Sequence, residues 1–216
     1  MKKDIRKKIG YFLTFIFILV GIIFSLSQLF HLKNTHKKLS QERILQEAKA
    51  HFESVVDFRF WNSKLGGVFV KQKDGLLPNP YLKENTLKLD NNETLVKINP
   101  AWMTRQISDI SNKKERYKFK ITSLKPINPL NKADKFEKEA LEFFEKNPQT
   151  KYYYKFSEDN KHFNFMGSLK IEKSCLKCHL HQGYKVGDIR GGIRVGVPTE
   201  FYQKELSSLE KKVYYD

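Results

Sequence analysis

The chain has 216 residues, 40 lysines and arginines against 24 aspartates and glutamates, a formal charge of +16, and 40% hydrophobic residues. This apolar content, which includes 17 Phe and 10 Tyr, is enough for a folded core and excludes a wholly disordered chain. The 2 cysteines can form at most one bridge, which excludes a disulfide scaffold.

The first predicted element is a transmembrane helix over residues 11–30, which contain no charged side chain. A helix of about 20 residues spans about 30 Å, the thickness of the hydrocarbon core of a bilayer. A cleaved secretory signal is the alternative, but its apolar region usually covers only about 7–15 residues. Residues 1–10 form a basic flank, and such flanks stay in the cytoplasm. We therefore expect a single-pass inner-membrane protein with a cytoplasmic N-terminus and a periplasmic domain.

The positive charge raises the question of nucleic-acid or anionic-lipid binding. The lysines are scattered along the chain, and no nucleic-acid-binding signature accompanies them. A location outside the cytoplasm also argues against nucleic acid as a partner. We interpret the charge as solvated surface, with contacts to the membrane surface or to an acidic partner as the alternative.

Residues 31–64 lack Pro and Gly and are predicted to form a helical stalk that leads into the domain. One helix face repeats at three- and four-residue spacing and comprises Leu45, Ala48, Phe52, Val55 and Arg59. Phe52, Val55 and Val56 offer more apolar surface than one exposed helix needs. We therefore expect a homodimer through the stalk, or a membrane partner for signalling or electron transfer. Packing of this face on its own domain is the alternative.

Residues 65–198 alternate short strands, turns and helices of modest length. The predicted strands cover residues 68–70, 94–98, 117–124, 151–156, 162–169 and 191–197. Between them, one helix is opened by Asn99 and Pro100 and another is capped by Asp134. Residues 199–216 form a predicted C-terminal helix. The pattern predicts an α+β domain with a largely antiparallel sheet flanked by helices.

Both cysteines lie in one pentapeptide, Cys175-Leu176-Lys177-Cys178-His179. C-x-x-C-H is the pattern of c-type haem attachment. The thiols of Cys175 and Cys178 can form thioether bonds with the two vinyl groups of one haem, and His179 can bind the iron as proximal ligand. The alternatives are a thioredoxin-like dithiol, a structural zinc site and a plain disulfide. Because haem is attached after export, the predicted location favours one covalent haem c per chain.

Six ordered blocks of sequence, one of which is the C-x-x-C-H segment, resemble the bacterial single-haem sensor family, formerly a domain of unknown function. The blocks are WN-x-x-x-GGVFV (61–70), PNPYL (78–82), INPAWMTRQIS (98–108), ITSLKPINPLNKADKFE (121–137), CLKCH (175–179) and GYKVGDIRGGIRVGVP (183–198). The resemblance implies one c-type haem on a PAS-like fold, in an extracytoplasmic module that usually precedes a signalling output domain. The chain resembles the stand-alone form, because it ends at Asp216 without such an output domain.

The sixth position of the haem iron has three main candidates, His51, Met103 and Met166. His162 and His181 are weaker candidates, and water, lysine or an open site are the alternatives. Bidentate guanidinium groups suit carboxylates, so Arg105, Arg190 and Arg194 are candidates for contacts with the haem propionates. Ordinary salt bridges are the alternative for these arginines.

The function expected from these residues is that of a redox or diatomic-gas sensor in signal transduction. An electron-transfer cytochrome c is the main alternative, and a haem-dependent peroxidase is a weaker one. The sequence contains no nucleophile elbow, phosphate loop or metal-hydrolase motif, so we expect no catalytic residues of those kinds.

Overall fold

The computed structural model describes residues 2–114, 117–179 and 182–215. The helices in these ranges are α1 (Lys2–Lys64), α2 (Pro100–Lys113), α3 (Lys135–Lys146), α4 (Leu176–His179) and α5 (Glu200–Tyr215). The strands are β1 (Val68–Lys71), β2 (Thr86–Lys88), β3 (Thr94–Ile98), β4 (Lys118–Thr122), β5 (Tyr152–Phe156), β6 (His162–Lys170) and β7 (Ile189–Pro198). The chain divides into two compact units, of which one is Ile44–Thr199 and the other contains the residues before and after it.

The unit outside Ile44–Thr199 contains the apolar part of α1 and all of α5. α1 is long and apolar enough to cross a membrane, with a mean hydropathy of 2.5 in its most apolar window. The side chains of that window are exposed on the protein, as expected for a surface that meets lipid. In the same unit, the guanidinium of Arg43 forms an ion pair with the carboxylate of Glu205 on α5.

The unit Ile44–Thr199 contains two antiparallel sheets. The smaller sheet has the strand order β1-β3-β2, and the larger one has the order β4-β7-β6-β5. β6 and β7 form the centre of the larger sheet and place Phe165 opposite Val195. The predicted α+β class, with antiparallel sheets flanked by helices, is confirmed. The sequence pattern did not predict β2, because its three residues are too few to show alternation.

The last third of α1 packs on one face of the larger sheet. Its buried apolar side chains repeat at helical spacing and are Ile44, Ala48, Phe52 and Val55. The ring of Phe52 lies 5.8 Å from that of Phe165 and 5.9 Å from that of Tyr152. This is the apolar face on which the homodimer through the stalk is predicted, and the chain's own sheet covers it. The homodimer through the stalk therefore stays a prediction, and an uncovered apolar face on α1 no longer supports it.

α3 packs on the opposite face of the larger sheet. Asp134 caps this helix, because its carboxylate accepts a hydrogen bond from the backbone N–H of Glu137 at 2.9 Å. Ala140, Leu141, Phe144 and Met166 form a buried cluster beneath it. Since neighbouring residues of a strand point to opposite faces, Phe165 faces α1 and Met166 faces α3. The sheet is thus covered by a helix on each face.

Close packing of α1 on the sheet predicts a marked effect for Gly167→Ala. A Cβ at this position would lie 2.2 Å from the ring of Phe52, so the helix or the ring must move. We expect the free energy of unfolding to fall by about 1–3 kcal/mol in urea denaturation. Gly196→Ala is the matched control on β7, where the nearest atom, Cβ of Lys118, lies at 3.4 Å. Equal changes for the two variants would contradict the close approach at Gly167.

Candidate functional site

The C-x-x-C-H segment lies in the connection between the two central strands of the larger sheet. After β6 ends at Lys170, the chain forms a short 3-10 helix, Lys173–Cys175, and continues directly into α4. Sγ of Cys175 accepts a hydrogen bond from the backbone N–H of Glu172 at 3.4 Å, and its thiol is free. The side chain of Cys178 and all of His181 lie outside the described residues. The connection therefore presents the thiol of Cys175 one helical turn before the imidazole of His179.

Two neighbouring side chains lie against Nδ1 of the His179 imidazole. Nδ1 lies 2.8 Å from Oε1 of Gln182 and 3.3 Å from Nε of Arg190. Nδ1 cannot donate to the glutamine and accept from the arginine at the same time. The shorter contact favours the tautomer in which Nδ1–H donates to Gln182. In that tautomer, Nε2 carries the lone pair and can bind a metal ion.

Arg190 joins the segment to Ser123, the residue that follows the edge strand β4. Its Nη1 donates to Oγ of Ser123 at 2.5 Å, and Oγ of Ser123 donates to the carbonyl oxygen of Arg190 at 2.9 Å. The guanidinium also lies 5.2 Å from the ring centre of Tyr184. Burial lowers the pKa of Arg190, while Tyr184 opposes the shift. Among the described residues Arg190 has no carboxylate partner, so a half-buried positive charge lies beside His179.

Arg59 provides a second positive charge at this site. Its Nη1 donates to the carbonyl oxygen of Pro100 at 2.9 Å and to Oγ1 of Thr104 at 2.8 Å, both in the first turns of α2. Burial lowers the pKa of Arg59 to about 10, and the negative charge that Cys175 can carry opposes this shift. Arg59 lies two turns after Phe52, whose ring packs at Gly167, three residues before the end of β6 from which the C-x-x-C-H segment follows.

The other two predicted propionate contacts lie among acidic side chains. Nε of Arg105 is 3.2 Å from Oδ1 of Asp109, one turn later on α2. Nη1 of Arg194 is 2.7 Å from Oδ2 of Asp134, and its Nη2 donates to Oδ1 of Asn164 at 2.7 Å. Of Arg105, Arg190 and Arg194, the structure brings Arg190 into direct contact with the C-x-x-C-H segment.

The candidates for the sixth ligand are spread over the domain. The ring of His51 lies 4.0 Å from that of Tyr117 and 6.1 Å from that of Phe119. Met166 is 0% exposed in the cluster beneath α3. Met103 lies in the first turn of α2, next to Thr104, which binds Arg59. The sulfur of Met103 lies 4.0 Å from Nδ2 of Asn62 on α1, so Met103 lies where α2 meets the helix that carries Arg59.

His162 lies at the far end of β6 from the C-x-x-C-H segment. It begins this strand of 9 residues, and the segment follows the other end. At about 3.3 Å per residue, the length of the strand separates the two. Burial lowers the pKa of His162, and the charge of Lys118 lowers it further.

Three residues of the site were not predicted from the sequence: Arg59, Ser123 and Gln182. A signal for Arg59 was present, because a charged residue stands on the helix face that otherwise carries Ala48, Phe52 and Val55. A cation on a buried face needs a partner, and that need could have marked it. Ser123 is 67 positions from Arg190 in the sequence, and no local pattern announces such a contact.

The fold and the site together define an α+β domain that presents a C-x-x-C-H segment between two paired strands of an antiparallel sheet. Residues 35–198 match the sequence model of the Tll0287-like family, whose description is Tll0287. The chain therefore belongs to the Tll0287-like family, which confirms the family membership expected from the sequence. The crystal structure of the cyanobacterial heme-protein Tll0287 is similar to the chain, with 14% identity and a TM-score of 0.46. The match covers 72% of this chain and 95% of that one. No curated protein matches the chain.

Proposed function

We propose that the protein is a membrane-anchored, extracytoplasmic sensor of redox state or of a diatomic gas, with one covalently attached haem c. The observation that carries this proposal is the C-x-x-C-H segment, in which Nδ1 of His179 lies 2.8 Å from Oε1 of Gln182. Membership of the Tll0287-like family supports it, because the cyanobacterial protein Tll0287 is a haem protein.

The residues present fit a haem. Cys175 and Cys178 would hold it through thioether bonds, and Nε2 of His179 would bind its iron. Gln182 would keep the imidazole in one orientation by accepting its Nδ1–H, as second partners of metal-binding histidines commonly do. Arg190 would pair with a propionate, since no described carboxylate neutralises it. Bound haem supplies an iron that can change its oxidation state and bind a diatomic ligand.

Met103 is the candidate for the sixth ligand that the structure supports best. It is partly exposed on α2, where its sulfur lies 4.0 Å from Nδ2 of Asn62 on α1, whereas Met166 is buried in the core. A thioether is a neutral, weak donor, and an exogenous diatomic ligand can displace it. A displaceable ligand of this kind suits a sensor.

Absorption and resonance Raman spectra of the ferric and ferrous protein, with and without CO and NO, test the sensor function. We expect binding of CO or NO to the ferrous protein, or a change of the sixth ligand between the two oxidation states. A haem that is six-coordinate in both oxidation states, with a spectrum that neither gas changes, would contradict a sensor and favour an electron carrier.

In Met103→Ala the spectrum of the gas-free protein should become that of a five-coordinate or water-ligated haem. An unchanged spectrum would exclude Met103 as the ligand.

The proposed location places the haem domain in the periplasm. It is supported by the apolar length of α1 and by the basic residues that precede it. A reporter enzyme that is active only in the cytoplasm, fused after Asp216, should therefore be silent. The same reporter fused before α1 should be active. Strong activity of the C-terminal fusion would contradict this orientation.

A further inference from the structure

We infer that Arg59 is a positioning residue that pairs with a haem propionate and thereby ties α1 to the haem. The inference rests on the proposed function, because it requires a haem attached at Cys175. It adds a residue that lies more than a hundred positions before the C-x-x-C-H segment and on a different element.

The first support is the set of hydrogen bonds that Arg59 makes. Both of its bonds come from Nη1, and both acceptors, the carbonyl oxygen of Pro100 and Oγ1 of Thr104, are neutral. An arginine has five N–H donors in a planar fork. Among the described residues, no partner is found for the donors on Nε and Nη2. One edge of the guanidinium is held by α2, and the remaining donors are available to an anion.

The second support is the cost of burying a positive charge. A guanidinium removed from water without a counter-ion is unfavourable, and buried charges in proteins are normally paired. Arg43, Arg105 and Arg194 each have a carboxylate within 4.0 Å. Arg59 has none among the described residues, although its side chain is partly buried. A site with such a cation is suited to an anionic ligand.

The third support is the change that haem attachment makes at Cys175. In the protein without haem, the electrostatic interaction with Cys175 raises the pKa of Arg59 against the effect of burial. When the thiol adds across a vinyl group, its proton goes to the vinyl carbon and its sulfur becomes a neutral thioether. Arg59 would then face a neutral sulfur, while the haem would bring two carboxylates to the site. Two arginines without carboxylate partners among the described residues, Arg59 and Arg190, adjoin the segment, which matches the number of propionates.

The pairing has a consequence for signalling. Arg59 belongs to α1, and its hydrogen bonds fix it to the start of α2, so a propionate bound to it would contact two helices at once. The positive charge of ferric haem and its loss on reduction change the attraction between the haem and Arg59. Because a ligand state shifts an equilibrium only through different interactions with its surroundings, this contact is a direct route from iron to α1.

Spectroelectrochemical titration of the full-length haem-loaded protein over a range of pH tests the inference. In Arg59→Gln we expect the midpoint potential to fall, because loss of a nearby positive charge favours ferric over ferrous haem. The pH range over which the potential changes should move upward, since a carboxylate without its cation has a higher pKa. Arg59→Lys should keep most of the wild-type potential but shift the propionate bands in the resonance Raman spectrum. Arg43→Gln, the matched control on α1, whose guanidinium pairs with Glu205, should change neither.

The outcomes separate this inference from the proposed function. A wild-type protein without covalent haem would overturn both. Haem-loaded Arg59→Gln with the potential and pH profile of the wild type would overturn the role of Arg59 and leave the haem assignment intact. If Arg59→Gln does not fold, Arg59→Lys decides the matter, because unaltered propionate bands in that variant would contradict the pairing.

Discussion

Replacement of both Cys175 and Cys178 by serine is expected to abolish haem staining of the protein on a denaturing gel. Thioether bonds survive denaturation, whereas a haem held only through its iron is lost with the fold. Serine cannot form these bonds, so the expected loss is complete. Each single variant retains one thiol and should give a weaker band than the wild type. The measurement is the peroxidase stain of whole-cell protein, normalised to the amount of polypeptide.

Ser174→Ala is the matched control for the cysteine variants. Ser174 lies in the same exposed 3-10 helix, immediately before Cys175, and takes no part in the proposed attachment. Its variant should stain as strongly as the wild type. Persistent staining of the double serine variant would contradict covalent attachment through this segment. Loss of staining in Ser174→Ala as well would indicate that the turn itself is needed for attachment.

Among the stability variants, replacement of Glu137 by alanine is expected to lower the free energy of unfolding the most. Glu137 is 0% exposed, and its Oε2 accepts hydrogen bonds from Nζ of Lys120 at 2.7 Å and from the backbone N–H of Asp134 at 2.9 Å. Its Oε1 lies 3.6 Å from Nη1 of Arg194. Removal of the carboxylate leaves Lys120 without its carboxylate partner, takes one of two carboxylates from Arg194, which keeps Asp134, and opens the capping box of α3. Breaking a buried ion pair from one side costs about 3–5 kcal/mol.

Glu142→Ala is the control for Glu137→Ala, because both residues lie on α3. The carboxylate of Glu142 is exposed and lies 3.7 Å from Nζ of Lys138, one turn earlier. Exposed pairs of this kind contribute about 0.3–0.5 kcal/mol, so the control should be nearly neutral. Urea denaturation followed by circular dichroism measures both variants. A loss below about 1 kcal/mol for Glu137→Ala would contradict a stabilising role of the buried pair.

The parts of the fold that depend on local sequence were predicted well. Asn99 accepts a hydrogen bond from the backbone N–H of Trp102 at 2.9 Å and opens α2, and Asp134 caps α3, as their residue types indicated. The strand predicted over residues 94–98 is β3. These features follow from contacts between residues three or four positions apart, which a sequence displays directly.

The partners of the functional side chains could not be predicted in this way. Arg190 and Arg194 stand four positions apart on one strand, and a propionate contact was expected of both. In the structure Arg194 donates hydrogen bonds to Asp134 and Asn164 on the face covered by α3. Arg190 donates a hydrogen bond to Ser123 and lies beside His179. Which residue meets which depends on strand order and on the helix that covers each face. Neither property is written in the local pattern.

The stalk provides a second example. Its apolar face was visible in the sequence, but two surfaces could cover it, a second stalk or the domain that follows. In the structure Phe52 packs against Gly167 and Phe165 of the chain's own sheet, while pairing of two stalks stays a prediction. Arg59 continues the same face, and its hydrogen bonds to Pro100 and Thr104 on α2 could not be read from the local sequence pattern.

One haem bound covalently through residues 175–179 is the central claim. Intact-mass spectrometry of the denatured protein, followed by mapping of the peptide that contains these residues, tests it most directly. We predict a polypeptide heavier by one haem, with the added mass on the peptide from Cys175 to His179. A peptide of unmodified mass, with two thiols that react with an alkylating reagent or with a disulfide between them, would contradict it.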